Sequence, residues 1–159
     1  MAKQTRLIRP PTGVSRFFYR LPIWLYRQRL GWMMGNRFVL LNHIGRKSGQ
    51  VRQVVLEVVK YEPDSRELVV CAGFGPKSQW YQNLLAQPKV SIQLGSRKWE
   101  AAARQLTPDE GGKVLRDFAK SHPGEAKFAG VLGFEVDGTI DDYYDMGRQM
   151  IFMGLSPRS

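Results

Sequence analysis

The first 56 residues of this 159-residue chain contain no acidic side chain; the first is Glu57. Eleven basic side chains stand in that stretch, from Lys3 to Arg52. Residues 57–159 hold thirteen basic and fourteen acidic groups, so the net charge of +10 belongs wholly to the first third. A field of that sign draws phosphates, anionic lipid or nucleic acid. Cysteine is nearly absent: Cys71 stands alone, which excludes an internal disulfide and points to a reducing, cytoplasmic setting. The two histidines, His43 and His122, lie far apart with no cysteine beside them, which argues against a structural zinc site. No apolar run approaches the ~20 residues of a spanning helix. The basic start is not followed by an apolar stretch and cleavage site of the kind that directs secretion. Internal repeats and low-complexity segments are missing too.

What remains is enough for one domain. A chain of this length buries about 70% of its unfolded surface, so a single core is expected. Residues 1–13 are polar and basic, end in Pro10-Pro11-Thr12-Gly13, and read as a mobile tail. In residues 14–35 the spacing of Val14, Phe17, Phe18, Leu21 and Leu25 fits one face of a helix. Pro22 should bend it and Gly31 and Gly35 should end it. The middle reads as β: strands over Arg37–Ile44, Gln50–Tyr61, Glu67–Ala72, Lys89–Leu94 and Arg97–Leu106 are predicted from apolar alternation between turn residues. Helices are expected over Gln79–Ala86, stopped by Pro88, and from the Thr107-Pro108-Asp109-Glu110 start to Ser121. A further turn of helix is expected within 125–132, a short acidic helix over Asp141–Met146 and a last strand over Gln149–Leu155. Five or six strands joined mostly by hairpins predict a small antiparallel barrel with peripheral helices. The division expected is a basic arm over 1–36 and a barrel domain over 37–159.

The sharpest chemical feature is the turn Gly45-Arg46-Lys47-Ser48-Gly49. Glycines at both ends let backbone amides converge on an anion. Arg46 and Lys47 add charge, Ser48 adds a hydroxyl, and Arg52 stands near the same end of the next strand. Arginine meets a phosphate with a planar fork and lysine meets it as a point charge. A solvated hairpin tip would use the same residue types, so the turn alone leaves both readings open. The second feature is Cys71-Ala72-Gly73-Phe74-Gly75 followed by Trp80-Tyr81-Gln82-Asn83-Leu84, a strand end, a glycine loop and a helix start. Amides there can face a ring or a phosphate, while Trp80 and Leu84 can anchor the helix on the barrel.

Taken in order, the Gly45–Gly49 turn, Arg52, Gly73 and Gly75, Trp80-Tyr81-x-Asn83-Leu84 and Pro88-Lys89-Val90 resemble the deazaflavin-dependent nitroreductase and quinone reductase family. The resemblance is strongest over residues 37–106. It implies a mainly β (α+β) split β-barrel like the FMN-binding barrel, and coenzyme F420 as cofactor, with FMN the alternative. It assigns the cofactor's phosphate and tail to Arg46, Lys47 and Ser48. It assigns the cofactor wall to the strand Arg52, Gln53, Val54, Val55, Leu56 and Glu57. The flank of the deazaflavin falls to Cys71, Ala72, Gly73 and Phe74, and the helix start to Gln79, Trp80, Tyr81, Gln82 and Asn83. Two departures stand out. Tyrosines follow the long helix in nitroimidazole- and quinone-reducing members, where this chain has His122-Pro123-Gly124-Glu125 and then Phe128. Val54 and Val55 stand where a proline is frequent.

The implied activity is hydride transfer between reduced deazaflavin and a lipophilic acceptor: a quinone, a nitroaromatic or an unsaturated lipid. No nucleophile or general base is identified, and no catalytic side chain is assigned. Asp141 and Asp142 read as a solvated acidic patch, and Tyr81 is more fitting as a packing residue than as a proton donor. The alternative is a non-catalytic barrel that holds cofactor or lipid. Residues 14–37 mix large apolar groups with arginines, the composition of an amphipathic helix on an anionic membrane surface. The same helix could instead cover the barrel. Nucleic acid is the poorer partner, because this arm is more apolar than segments that stack on bases. The expected location is cytoplasmic, with peripheral contact at the inner face of the membrane, and the oligomeric state stays open.

Overall fold

The computed structural model of the chain describes residues 3–4, 37–72, 75–121, 134–135 and 140–158. Six strands close an antiparallel barrel. In chain order the strands are β1 (Lys3–Gln4), β2 (Phe38–Ile44), β3 (Val51–Glu62), β4 (Glu67–Cys71), β5 (Lys89–Leu94), β6 (Arg97–Gln105), β7 (Phe134–Glu135) and β8 (Phe152–Pro157). The barrel runs β2-β3-β4-β8-β6-β5, and β5 pairs back onto β2. Closure leaves no open edge to be covered. Among the described residues three helices accompany it: α1 (Gln79–Ala86), α2 (Pro108–Ser121) and α3 (Ile140–Gln149).

Alternation builds the interior. Val39 and Leu41 of β2, Leu68 and Val70 of β4, Val90, Ile92 and Leu94 of β5, and Met153 and Leu155 of β8 are buried in one cluster. Each such side chain contributes roughly 1.5–3 kcal/mol on burial. β3 is long enough to serve two surfaces because its pairing with β4 shifts between Val58 and Lys60. A bulge bends the strand at such a shift. Val58 then packs in the barrel cluster and Val59 in a second one outside. That outer cluster joins Val114, Leu115 and Ala119 of α2 to Tyr143 and Met146 of α3, with Phe152 of β8 beneath them. α2 starts with a capping box: the Glu110 amide donates to Thr107 Oγ1 at 3.2 Å, and the Thr107 amide donates to Glu110 Oε1 at 3.0 Å. Such reciprocal bonds satisfy amides that the helix leaves without partners.

Three expectations need correction. The final strand begins at Phe152, not Gln149, because α3 runs on to Gln149. Gly147, in that last part of the helix, is buried against α2. Residues 3–4, inside the expected mobile tail, pair as a strand with Phe134–Glu135. Asp141 and Asp142 do not form one solvated patch: Asp141 is exposed, but Asp142 is buried, since adjacent helix positions point about 100° apart. The expected helix over 14–35, the turn of helix within 125–132, and the His122–Glu125 and Phe128 positions lie outside the described residues.

Candidate functional site

The inward alternation of β2 continues from Val39 and Leu41 to His43, so an imidazole stands at the end of an apolar row. His43 faces Arg52 across the β2–β3 ladder. Immediately beyond lies the turn Gly45–Gly49. It is closed by Gly45 N–H donating to Gln50 O at 2.8 Å and Gly49 N–H donating to Gly45 O at 2.8 Å. Gly49 has φ 70°, a conformation that costs other residues energy and glycine almost none. A Cβ on Gly45 would stand 2.6 Å from Ser48 Oγ and 3.7 Å from Arg52 Nε, so the turn is filled by those two side chains.

Helix α1 lies over this end of the barrel. Trp80, Tyr81 and Leu84 are buried in the barrel cluster, and Gln82 ties the helix to the preceding loop by donating to Pro76 O at 2.9 Å. Asn83, on the same face, is 4% exposed. Its Oδ1 accepts from the Arg46 amide at 3.1 Å and from Arg46 Nη1 at 2.8 Å. Arg46 Nη1 also donates to Gln79 Oε1 at 3.1 Å. On its other side, Asn83 Nδ2 lies 3.1 Å from His43 Nδ1. Burial, aided by the Arg52 charge, lowers the His43 pKa to about 4. The ring is therefore neutral at physiological pH.

The predicted turn thus becomes more specific. Its amides do not all converge on an anion. Those of Gly45 and Gly49 close the hairpin, that of Arg46 goes to Asn83, and that of Gln50 goes to Ser48 Oγ at 3.2 Å. The consecutive amides of Lys47 and Ser48 have no acceptor among the described residues. Lys47 and Arg52 are exposed and form no ion pair there. Arg46 is held only by neutral amides, so its charge is oriented but not cancelled. The turn and the start of β3 thus carry two successive amides without an acceptor and three cations without a carboxylate partner among the described residues, the kind of donors and charge that suit an anion.

The remaining predicted residues divide by face. Val54 and Leu56 turn into the barrel and pack against its core, as does Ala72. Gln53, Val55 and Glu57 alternate to the outer face, where Gln53 Nε2 donates to Asn42 Oδ1 at 2.9 Å. Cys71 packs in the outer cluster beside α2 and α3. Burial first, and the nearby Glu57 carboxylate second, push its thiol up to about 12. A ligand lying against the outer face of β3 would therefore meet Gln53, Val55 and Glu57 but not the side chains of Val54 and Leu56. Gly73 and Phe74 lie outside the described residues. The imidazole of His43 was not singled out from the sequence as part of the site. The available signal was its inward parity at the end of the Val39, Leu41 row.

A closed antiparallel barrel with a basic glycine turn held beneath a short helix defines a cofactor-binding split barrel. Residues 18–129 match the family model described as F420H(2)-dependent quinone reductase, and the chain belongs to that family. It is an F420-dependent oxidoreductase. Among solved structures it is similar to an F420-H2 dependent reductase, FDR-A. The identity is 25%, with 77% of this chain and 96% of that chain covered and a TM-score of 0.54. A protein solved as a domain-swapped dimer shares the fold at 22% identity, with coverage of 85% and 99% and a TM-score of 0.52. So does a protein of unknown function from Agrobacterium tumefaciens, at 14% identity, with coverage of 94% and 59% and a TM-score of 0.55.

Proposed function

We propose that the Gly45–Gly49 turn holds the anionic end of coenzyme F420 and that the protein passes a hydride to a lipophilic acceptor of quinone type. The observation that supports the cofactor site is the pair of amides at Lys47 and Ser48 without an acceptor, in a turn that also carries Arg46 and Lys47 and stands beside Arg52, none of them paired with a carboxylate among the described residues. The residues present fit the group: a phosphate-bearing tail needs donors and uncompensated positive charge, and this turn supplies both. When bound, the reduced cofactor supplies the hydride.

The chain's own residues bind and orient. Lys47, Ser48 and Arg52 contact the anionic end, and Arg46 faces it from a fixed position. Gln53, Val55 and Glu57 form the wall along the outer face of β3, with Cys71 beside Glu57. Val54, Leu56, Ala72, Trp80 and Tyr81 support this wall from within the barrel, and Gln79, Gln82 and Asn83 brace the turn and loop. Binding energy gathered at the tail fixes the reacting ring at a distance, which raises the fraction of productive encounters. In this reading the barrel domain would span residues 37–159, and the basic residues 1–36 would serve as an arm. The arginines and large apolar groups at 14–37 would bring the arm to an anionic membrane, where quinones reside. That composition, together with the family's quinone-reductase description, supports the lipophilic acceptor.

Fluorescence titration with F420 and with FMN tests the site. Micromolar binding of F420 alone is expected, and Lys47→Ala with Arg52→Ala should weaken it by about a hundredfold. Equal affinity in that double variant would show the turn to be a hairpin tip only. Sedimentation with anionic liposomes at low salt tests the arm; no co-sedimentation would remove the membrane from the reading.

A further inference from the structure

We infer that Asn83 is a positioning residue, which acts on the anion site through Arg46 and is itself oriented by His43. The inference rests on the cofactor reading of the turn and departs from the resemblance, which makes Asn83 a direct contact.

The hydrogen-bond chemistry leaves one arrangement. The Arg46 amide and guanidinium only donate, so the oxygen of Asn83 must face them. Both distances, 3.1 and 2.8 Å, are those of true hydrogen bonds. The Asn83 NH₂ must then face His43. Because it donates, the Nδ1 at 3.1 Å must accept, and the imidazole proton resides on Nε2. A histidine protonated on both nitrogens would have no lone pair for Asn83, and the pairing would fail. Burial keeps the ring neutral, and the Arg52 charge reinforces that neutrality.

One asparagine therefore transmits an orientation from the barrel interior to the surface turn. Its side chain, 4% exposed, is occupied on both sides, which leaves little of it to meet a ligand. What it supplies is geometry. Nη1 of Arg46 is committed to Asn83 and Gln79, so the guanidinium is held in one place instead of searching rotamers. An aspartate here would orient Arg46 as well but would cancel its charge. Asparagine and glutamine orient it and leave the charge for the ligand. Such pre-organisation strengthens binding by reducing the side-chain ordering that binding would otherwise require.

The test is a double-mutant cycle on F420 affinity, read by fluorescence with the intact protein, using Asn83→Ala, Arg46→Ala and both together. Each single variant should weaken binding by about tenfold, and the double variant should bind as Arg46→Ala does, because the two act as one unit. Additive losses would overturn the inference, since Asn83 would then act independently of Arg46. So would an Asn83→Ala protein with unchanged affinity. The exposed Gln79→Ala removes one of the two acceptors with little risk to folding, and should weaken binding by about threefold; no change would count against guanidinium orientation. In the unliganded wild-type protein, nitrogen NMR should find the His43 proton on Nε2, and a proton on Nδ1 would overturn the arrangement without any ligand. Failure of the wild-type protein to bind F420, with the tautomer as stated, would overturn the site reading and this inference's ligand with it.

Discussion

Tyr81 donates its hydroxyl to Gln105 Oε1 at 2.7 Å, joining α1 to the last residue of β6. The ring is buried, so the phenol is directed to a structural partner and not to a reacting group. Tyr81→Phe should keep F420-dependent turnover within about threefold while lowering stability by about 1 kcal/mol, the usual worth of one such bond. Steady-state kinetics and urea unfolding check the two halves. A hundredfold fall in kcat would instead make Tyr81 a proton donor.

Where α3 crosses α2, Gly147 and Gly111 face one another. A Cβ on Gly111 would stand 2.7 Å from Gly147 O, and one on Gly147 would stand 2.8 Å from Gly112 Cα. These neighbours are backbone atoms and cannot step aside. Gly147→Ala should therefore destabilise the protein by about 2 kcal/mol through overpacking, despite alanine's better helix propensity. Differential scanning calorimetry would register a lower Tm; an unchanged or higher Tm would mean that the helices can separate freely.

His43 gives a pH dependence of definite sign. Its folded pKa of about 4 lies below the ordinary 6.5, so the unfolded chain takes up the proton first. This contribution to stability is complete above about pH 6.5, declines as pH falls towards 4, and levels off below that. The Glu110 carboxylate, held down to about 2 by its bond to Arg104 and from an ordinary 4.5, works in a lower window. Urea midpoints should fall between pH 7 and pH 4.5, and His43→Gln should show a shallower fall. Parallel pH curves for the two proteins would remove His43 as the source.

Cys71 should be inert. With its thiol pushed up to about 12 from 9.0, almost no thiolate exists near neutral pH, and thiolate is the reacting form. Ellman's reagent at about pH 8 should label the native protein at least a hundredfold more slowly than the urea-unfolded chain. Comparable rates would place the thiol in solvent.

Local punctuation made much of the fold legible. Pro88 ends α1, Thr107-Pro108 begins α2, and Gly45 and Gly49 bound the hairpin, because proline and glycine restrict or free φ whatever the surroundings. Alternation placed β5 at its observed limits. The basic turn, too, could be recognised before any contact was known. Other features depended on distant partners. β8 inserts between β4 and β6, and it starts only at Phe152, after α3, which packs on α2, has ended. Asp142 is buried by a tertiary contact surface that its acidic neighbours gave no reason to expect. The Gly45–Gly49 turn shows the division best. Arg46, Lys47 and Ser48 are consecutive, so their charge and donors are properties of the sequence itself. That the Arg46 amide is taken and its guanidinium held was decided by Asn83, 37 residues from Arg46 and 40 from His43. Only closure of the barrel and docking of α1 over its end bring those three together, and a hydrogen bond across such a separation leaves no periodic trace in the chain.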